Sequence, residues 1–309
     1  MIDALLLGTG GMSPLPDRWL SALLVRCRGE LMLFDCGEGT QIVWRCFGWG
    51  FRRLGAICIS HTHADHIAGL PGLLHSIANA GRTEPVALFG PPGTALIVAG
   101  LRTIAPYLPY ELRVEEIDGG DAFPLPGGLT GTAMRGRHAL PVLAYRLDLP
   151  RTRRFLPERA RRIGVPLDYW RRLQQGEPAR WPGGGAQPAD VLGPPRRGLA
   201  LGYVTDTRPL PEMPAFFHDV DLLVSEGTYG DPADAEKAAV NTHMTFREAA
   251  TLARESEARR LWLTHFSPGL SDPDAFAPEA TAIFPETTVG FSGLQTTLNF
   301  DDEEGGDSI

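Results

Sequence analysis

Ile57-Cys58-Ile59-Ser60-His61-Thr62-His63-Ala64-Asp65-His66 is the stretch on which the reading of the 309-residue chain turns. Its first half is apolar and largely β-branched, the pattern of a short buried strand. The strand empties into three histidines and an aspartate within six positions, where a strand end can hold a metal. Crowding that many costly polar groups at one spot is tolerable when cations compensate them, and imidazole with carboxylate suits zinc-like ions. His61 and His63, two apart, share one side of an extended segment, whereas Asp65 and His66 fall where the chain turns into a helix and aim elsewhere. That division predicts one ion for the first pair and a second for the later pair. Two ions about 3.5–4 Å apart form the clamp used for in-line displacement at phosphorus.

Around this centre, 43% hydrophobic content over 309 residues suffices for one large α/β domain or two small ones. No basic segment follows Met1 and no apolar run reaches membrane length, which predicts a soluble, cytoplasmic protein with no secretion signal and no membrane contact. Cys27, Cys36, Cys46 and Cys58 lack paired Cys-x-x-Cys spacing and read as buried free thiols of a reducing compartment. A net charge of −8 excludes a protein whose whole surface attracts nucleic acid, though not a local basic patch. Charge is uneven: Asp301, Asp302, Glu303, Glu304 and Asp307 make residues 301–309 a solvated acidic tail, while the middle of the chain is dense in arginine.

Residues 3–7, 22–27 and 31–35 read as short strands. Gly8-Thr9-Gly10-Gly11 has no Gly-Lys-Ser/Thr after it, so a tight turn near the site is expected rather than a phosphate loop. Leu70, Leu73, Leu74 and Ile77 fall at helical spacing and predict an amphipathic helix, with His75 on it as a structural residue. Further strands are expected at 86–89, within 113–147 on both sides of His138, and at 199–205, 222–225 and 261–264. Helices are expected near 94–103 and 246–256, the second opened by the capping box Thr245-Phe246-Arg247-Glu248. Strands first clustered, then alternating with helices, predict an α/β sandwich of mixed sheets covered by helices. Two ions need more ligands than the first cluster supplies. His138, Asp206 after Gly202-Tyr203-Val204-Thr205, and His265 after Leu261-Trp262-Leu263-Thr264 qualify by lying at strand ends.

The His-x-His-x-Asp-His pattern of residues 61–66 resembles the signature of the metallo-β-lactamase superfamily. The flanks are narrower. Leu7-Gly8-Thr9-Gly10 with Pro14 and Arg18, Leu33-Phe34-Asp35-Cys36-Gly37-Glu38-Gly39-Thr40-Gln41 and Gly69-Leu70-Pro71-Gly72-Leu73 resemble ribonuclease Z, the endonuclease family that trims tRNA 3′ trailers. So do the contexts of His138, of Asp206-Thr207-Arg208-Pro209 and of Leu263-Thr264-His265-Phe266-Ser267, which carries the resemblance almost end to end. It implies a four-layer αββα sandwich with the metals at one edge between the sheets. It also implies two zinc ions per chain, with manganese or iron as substitutes: His61, His63 and His138 on the first, Asp65, His66 and His265 on the second, and Asp206 bridging. Asp65 would in addition act as general base. The family commonly carries His-Glu-Ala-Thr where this chain reads Ser225-Glu226-Gly227-Thr228, so one histidine is missing. Glu226 and His243-Met244-Thr245, which resembles the family's His-Ser-Thr, remain; His243 is expected as proton donor or phosphate contact, supported by Glu226.

From Arg151 to Arg197 arginine is frequent and acids are few, the composition of an RNA-backbone surface on which forks pair with phosphate and aromatics stack. Arg153, Arg154, Arg161, Arg162 and Tyr169 are the expected substrate contacts. By resemblance, 151–197 is a protruding arm inserted into an otherwise single domain, 1–309, and one subunit's arm serves its partner's site in a homodimer. Gly164-Val165-Pro166 lacks the Gly-Pro pair usual near the arm's tip, and Gly183-Gly184-Gly185 suggests a flexible return. Together these features predict a zinc-dependent endoribonuclease that removes 3′ trailers from precursor tRNA by two-metal phosphodiester hydrolysis. The alternatives are a small-molecule phosphodiesterase or other hydrolase on the same scaffold, which would not need the arm, and a non-catalytic RNA-binding relative, which would not need the full ligand set.

Overall fold

Leucine, isoleucine and valine dominate the first strands, which are buried along nearly their whole length: β1 (Ile2–Gly8), β2 (Ala22–Cys27), β3 (Glu30–Phe34), β4 (Leu54–Cys58) and β5 (Val86–Gly90). After them come β6 (Leu112–Glu116), β7 (Ala122–Leu125), β8 (Leu129–Arg135), β9 (Leu143–Arg151), β10 (Ala179–Trp181) and β11 (Gly184–Ala186). The last five are β12 (Arg196–Val204), β13 (Leu222–Glu226), β14 (Leu261–Thr264), β15 (Thr287–Val289) and β16 (Gln295–Leu298). The computed structural model describes residues 1–301, which divide into two units, Met1–Leu149 with Leu199–Asp301, and Pro150–Gly198.

In the larger unit, two seven-stranded sheets run β16-β1-β2-β3-β4-β5-β6 and β15-β14-β13-β12-β9-β8-β7. Both are mixed. β1, β2 and β3 pair antiparallel and β3 to β6 parallel; β7 to β9 pair antiparallel and β12 to β15 parallel. Successive strand residues point to opposite faces, so each sheet can bury both. Leu6, Leu23, Val25 and Phe34 of the first sheet pack with Tyr145, Leu147, Leu201, Tyr203 and Val224 of the second in one core. The alternate residues Leu5, Leu7, Leu24 and Leu33 face outward against Leu70, Leu73, Leu74 and Ile77 of the helix Leu70–Asn79. On the far side, Val204, Leu223, Leu261 and Leu263 meet Phe246, Ala249, Ala250 and Ala253 of the helix Phe246–Glu255. The result is the four-layer αββα sandwich expected from the sequence.

The expected helix at 70–77 and the capping box at Thr245 are both present; Thr245 Oγ1 accepts from the Glu248 N–H at 3.3 Å and Glu248 Oε2 from the Thr245 N–H at 2.9 Å. In place of the tight turn expected at Gly8-Thr9-Gly10-Gly11, Gly8 ends β1 and the next residues run on, Gly10 bridging Leu20 and Phe266, with no helix directly after; Thr9 and Gly10 both donate to the Trp19 carbonyl. The cysteine expectation is corrected: Cys27, Cys36 and Cys58 are buried, but Cys46 is exposed at the end of the short helix Thr40–Cys46. His75 lies on the helix Leu70–Asn79, facing solvent opposite its leucine stripe.

The unit Pro150–Gly198 has a small core of its own, Ala160, Val165, Leu173, Ala179, Ala186 and Val191 under the rings of Phe155, Tyr169, Trp170 and Trp181. The glycines expected as a flexible return instead build its β10–β11 hairpin: Gly183, at φ 89°, takes the turn, and Gly184 and Gly185 pair with Trp181 and Arg180. Of the acidic tail, Asp301 pairs with Arg259 at 3.0 Å, and residues 302–309 lie outside the described residues. No helix among the described residues is long and apolar enough to cross a membrane.

Candidate metal centre

Parallel strands end on the same side of a sheet, and the site is built from residues just beyond those ends. Asp35 follows β3, His61 and His63 follow β4 and lead into the one-turn helix Ala64–Ile67 carrying Asp65 and His66, Asp206 follows β12, and His265 follows β14. His138 stands between β8 and β9. Asp35, Asp206 and His265 have φ of 57°, 51° and 59°. One left-handed residue, at roughly 1 kcal/mol for a side chain other than glycine, ends each strand abruptly; Asp and His are among the residues that tolerate it best.

The seven sequence-predicted ligands converge. Donor atoms of His61, His63, His138 and Asp206 lie within 4.8 Å of one another, as do those of Asp65, His66 and His265. Asp206, 3% exposed, stands between the groups. Its Oδ1 is 3.7 Å from His61 Nε2 and 3.9 Å from His138 Nε2; its Oδ2 is 3.2 Å from both His66 Nε2 and His265 Nε2. Asp65 Oδ2 is 3.4 Å from the Nε2 atoms of His66 and His265 and accepts the Met12 N–H at 2.6 Å. Nitrogen faces nitrogen elsewhere, His66 Nε2 to His265 Nε2 at 3.2 Å and His61 Nε2 to His63 Nδ1 at 2.9 Å. Lone pairs converging in this way on a buried spot fit a cation, and the mixed imidazole and carboxylate donors fit a zinc-like ion.

A second ring of polar groups orients these ligands. Buried Asp35 accepts from Ser60 N–H at 2.6 Å, Ser60 Oγ at 2.8 Å and Tyr203 OH at 2.8 Å, and its Oδ2 lies 2.8 Å from His66 Nδ1. That contact puts the His66 proton on Nδ1 and frees Nε2 for a metal. Thr228 Oγ1 is 3.1 Å from His265 Nδ1, and Thr242 Oγ1 is 2.7 Å from His138 Nδ1. Sequence reasoning gave none of these three residues an orienting role. Asp35 had a visible signal, the same place after a strand that drew attention to Asp206.

Burial pushes the His61 imidazole well down, and neighbouring His66 adds to this. At His66 burial also acts downward, but the carboxylates of Asp206 and Asp35 outweigh it and raise the imidazole. For Asp65 and Asp206, burial would favour the neutral acid; the surrounding imidazoles reverse that and hold both below the usual carboxylate range. At His243 burial acts downward, yet the adjoining Glu226 carboxylate raises it to about 9.

His243 and Glu226 lie beside the ligands. His243 clusters with Asp206 and His265, and Glu226 is fully buried. Ser225 is also fully buried, its hydroxyl donating to the Glu226 carbonyl, and it does not line the 990 Å³ cavity onto which Asp65, His138 and His243 open. Ser225, standing where the family commonly has a histidine, thus offers no group to that cavity.

The expected substrate contacts lie in the unit Pro150–Gly198. Arg154, Arg161 and Arg162 are exposed, with Arg161 ion-paired to Glu158. Arg153 and Tyr169 serve that unit's own structure, Arg153 donating to the Gly193 carbonyl at 2.6 Å and Tyr169 packing against Trp181 with ring centres 5.6 Å apart.

Two family patterns match parts of the chain, "Anti-Pycsar protein Apyc1" over residues 2–94 and "Beta-lactamase superfamily domain" over residues 187–266. The Ribonuclease Z of Lachnoclostridium phytofermentans is 43% identical over 304 residues, covering 98% of this chain and 100% of that protein. The chain belongs to the ribonuclease Z family. The Ribonuclease Z of Clostridium kluyveri is similar to the same extent, 44% identical over 301 residues and covering 97% and 99% of the two chains. Membership makes this chain an enzyme, an endoribonuclease that depends on metal. Among solved structures, human tRNase Z, short form, superposes with a TM-score of 0.70 at 23% identity, over 96% of this chain and 100% of that one. The metallo-β-lactamase fold protein YhfI from Bacillus subtilis superposes with a TM-score of 0.69 at 18% identity, over 96% and 98%. At such identities the likeness shows the fold alone, and that fold is the one described above.

Proposed function

We propose that this enzyme removes 3′ trailers from precursor tRNA by two-metal phosphodiester hydrolysis, with zinc as the metal. The observation that carries the reading is Asp206, one oxygen of which faces His61 and His138 while the other faces His66 and His265. Such an arrangement suits a carboxylate shared by two cations, and seven ligands in two sets match the two-ion reading. Divalent ions held there would polarise the scissile phosphate and acidify a water near neutral pH.

The remaining chemistry falls to the chain's own side chains. Asp65 uses Oδ2 for the Met12 N–H, and its other oxygen would orient the attacking water and take its proton. His243 donates Nδ1–H to Glu226, which leaves Nε2 to protonate the departing 3′ oxygen. The P–O3′ bond breaks, giving a tRNA with a 3′ hydroxyl and a trailer with a 5′ phosphate. On the arm, residues 151–197, the exposed Arg154, Arg161 and Arg162 would meet the RNA backbone, while Arg153 and Tyr169 hold the arm's own frame. A homodimer and a cytoplasmic setting belong to the same proposal and rest on the family resemblance.

The test is cleavage of a trailer-bearing precursor tRNA by the wild type beside Asp65→Ala, with metal content measured on both. About two zinc ions per chain and cutting by the wild type alone are expected. Equal cutting by both proteins would remove the proposed mechanism, and hydrolysis of bis-p-nitrophenyl phosphate without any tRNA cleavage would favour a small-substrate enzyme. Deleting residues 151–192 should raise KM for precursor tRNA far more than for the small diester.

A further inference from the structure

The loop carrying His138 belongs to two cavities at once. Arg137, His138 and Ala139 line both the 990 Å³ metal cavity and a neighbouring cleft of 550 Å³. The cleft is walled by Pro91 and Pro92, from the turn after β5, and by Pro141 and Val142, which lead into β9. Its volume falls in the range that holds a nucleotide-sized molecule. Two exposed proline rings, Pro92 and Pro141, offer apolar faces on which a flat ring can lie, and Pro91 is buried beside them. The polar side chains of the wall, Asp118 and Arg135, are ion-paired with each other.

Arg137 is the exception among the arginines of this region. Arg135 is paired with Asp118, Arg146 with Asp148 and Arg208 with Glu248. The Arg137 guanidinium has neither carboxylate nor carbonyl partner among the described residues and is exposed. Its backbone is nonetheless fixed, the N–H donating to Thr207 Oγ1 at 2.7 Å and the carbonyl accepting from the Arg208 N–H at 3.3 Å. Thr207 and Arg208 directly follow Asp206, so an uncommitted cation is rooted on the same loop as the central carboxylate of the metal site. A guanidinium left without an anion is suited to a phosphate, which it can hold through two parallel N–H donors.

We propose that this cleft is a nucleotide subsite. The base of a nucleotide flanking the scissile phosphate packs against Pro92 and Pro141, and Arg137 holds the next phosphate along the strand. The assignment rests on the RNA-cleaving reading above and names where the strand runs beside the metals. Since Asp118 and Arg135 are committed to each other, the cleft takes a base by its faces rather than its edge and accepts all four bases.

Arg137→Ala and Pro141→Trp, both at exposed positions, test this against the wild type. Each protein is given precursor tRNA, the same tRNA with an abasic nucleotide on one or the other side of the cleavage point, and bis-p-nitrophenyl phosphate. The ratio of kcat/KM for precursor tRNA to that for the small diester should fall about tenfold in each variant, through KM. One abasic position should cost the wild type a similar factor and cost Pro141→Trp nothing further. Ratios within about twofold of wild type in both variants would overturn the subsite. A wild type that hydrolyses the small diester but cuts no precursor tRNA would defeat the proposed function instead. In that event inhibition of diester hydrolysis reads the cleft alone: adenosine 5′-monophosphate should inhibit about tenfold better than inorganic phosphate, and only equally well in Pro141→Trp. Equal inhibition by the two in the wild type would exclude a nucleotide there.

Discussion

His243 Nδ1 lies 3.0 Å from Glu226 Oε2, and that carboxylate is fully buried. Oε2 also accepts the Met244 N–H at 3.0 Å and the Thr228 hydroxyl at 2.6 Å, while Oε1 accepts the Thr207 N–H at 2.6 Å. Four donors on one carboxylate fix its position. Replacing it by Glu226→Gln turns one acceptor into a donor facing other donors, and withdraws the charge that raises His243. A fall in kcat of about 100-fold is expected, with metal content retained. His243→Ala should fall comparably and the double variant no further, because residues acting as one unit are not additive. Wild-type kcat in Glu226→Gln would separate this pair from proton transfer.

Asp35 meets His66 alone of the seven candidate ligands among the described residues, yet it should matter for metal binding. Asp35→Asn weakens the hold on His66 Nδ1 and disturbs the bonds from Ser60 and Tyr203. Affinity for zinc is expected to drop about 10- to 100-fold, measured by competition with a chromophoric chelator. Tyr203→Phe, which removes one donor and leaves the carboxylate, should lose less. Unchanged affinity in Asp35→Asn would show that His66 is held by packing alone.

Gly11 is tied to the site by space. A Cβ there would stand 2.5 Å from His265 Cε1 and 2.7 Å from its Nε2, and the ring cannot retreat without leaving Asp65 and Asp206. Gly11→Ala should destabilise by about 1–3 kcal/mol and lower metal occupancy. Gly100, in the helix Thr94–Leu101 with nothing within 4 Å of its would-be Cβ, is the control; Gly100→Ala should stabilise by about 0.5–1 kcal/mol. Thermal unfolding and metal analysis of both variants check the pair.

Thiol labelling reads the core directly. Burial pushes the Cys36 and Cys58 thiols well up, so both stay protonated and inert at neutral pH, while Cys46 is exposed. A maleimide should label Cys46 quickly in the native protein and all 4 cysteines once it is denatured. Fast labelling of Cys36 would mean that the strand end beside Asp35 opens to solvent.

Local signals lay open in the sequence because each is a short-range pattern. The leucine stripe of 70–77 is a helical period, Thr245 with Glu248 is a cap that closes over three residues, and His61 to His66 adjoin one another at the end of a single strand. Position at strand ends nominated the remaining ligands, His138, Asp206 and His265, and family resemblance divided the set between two ions. Tertiary structure decided how distant segments meet. Asp35 is held against His66 in part by Tyr203, 168 positions away, which reaches it from the opposite sheet. Ser225 stays away from the cavity while the next residue, Glu226, meets His243, because successive side chains at the end of β13 turn to opposite faces. The hairpin of Gly183 depends on a small core beneath it that no periodicity announces. Spacing along a chain encodes repeats of two and 3.6 residues; which strand ends share an edge is set by pairing between strands, and those pairings are chosen by burial over the whole sandwich.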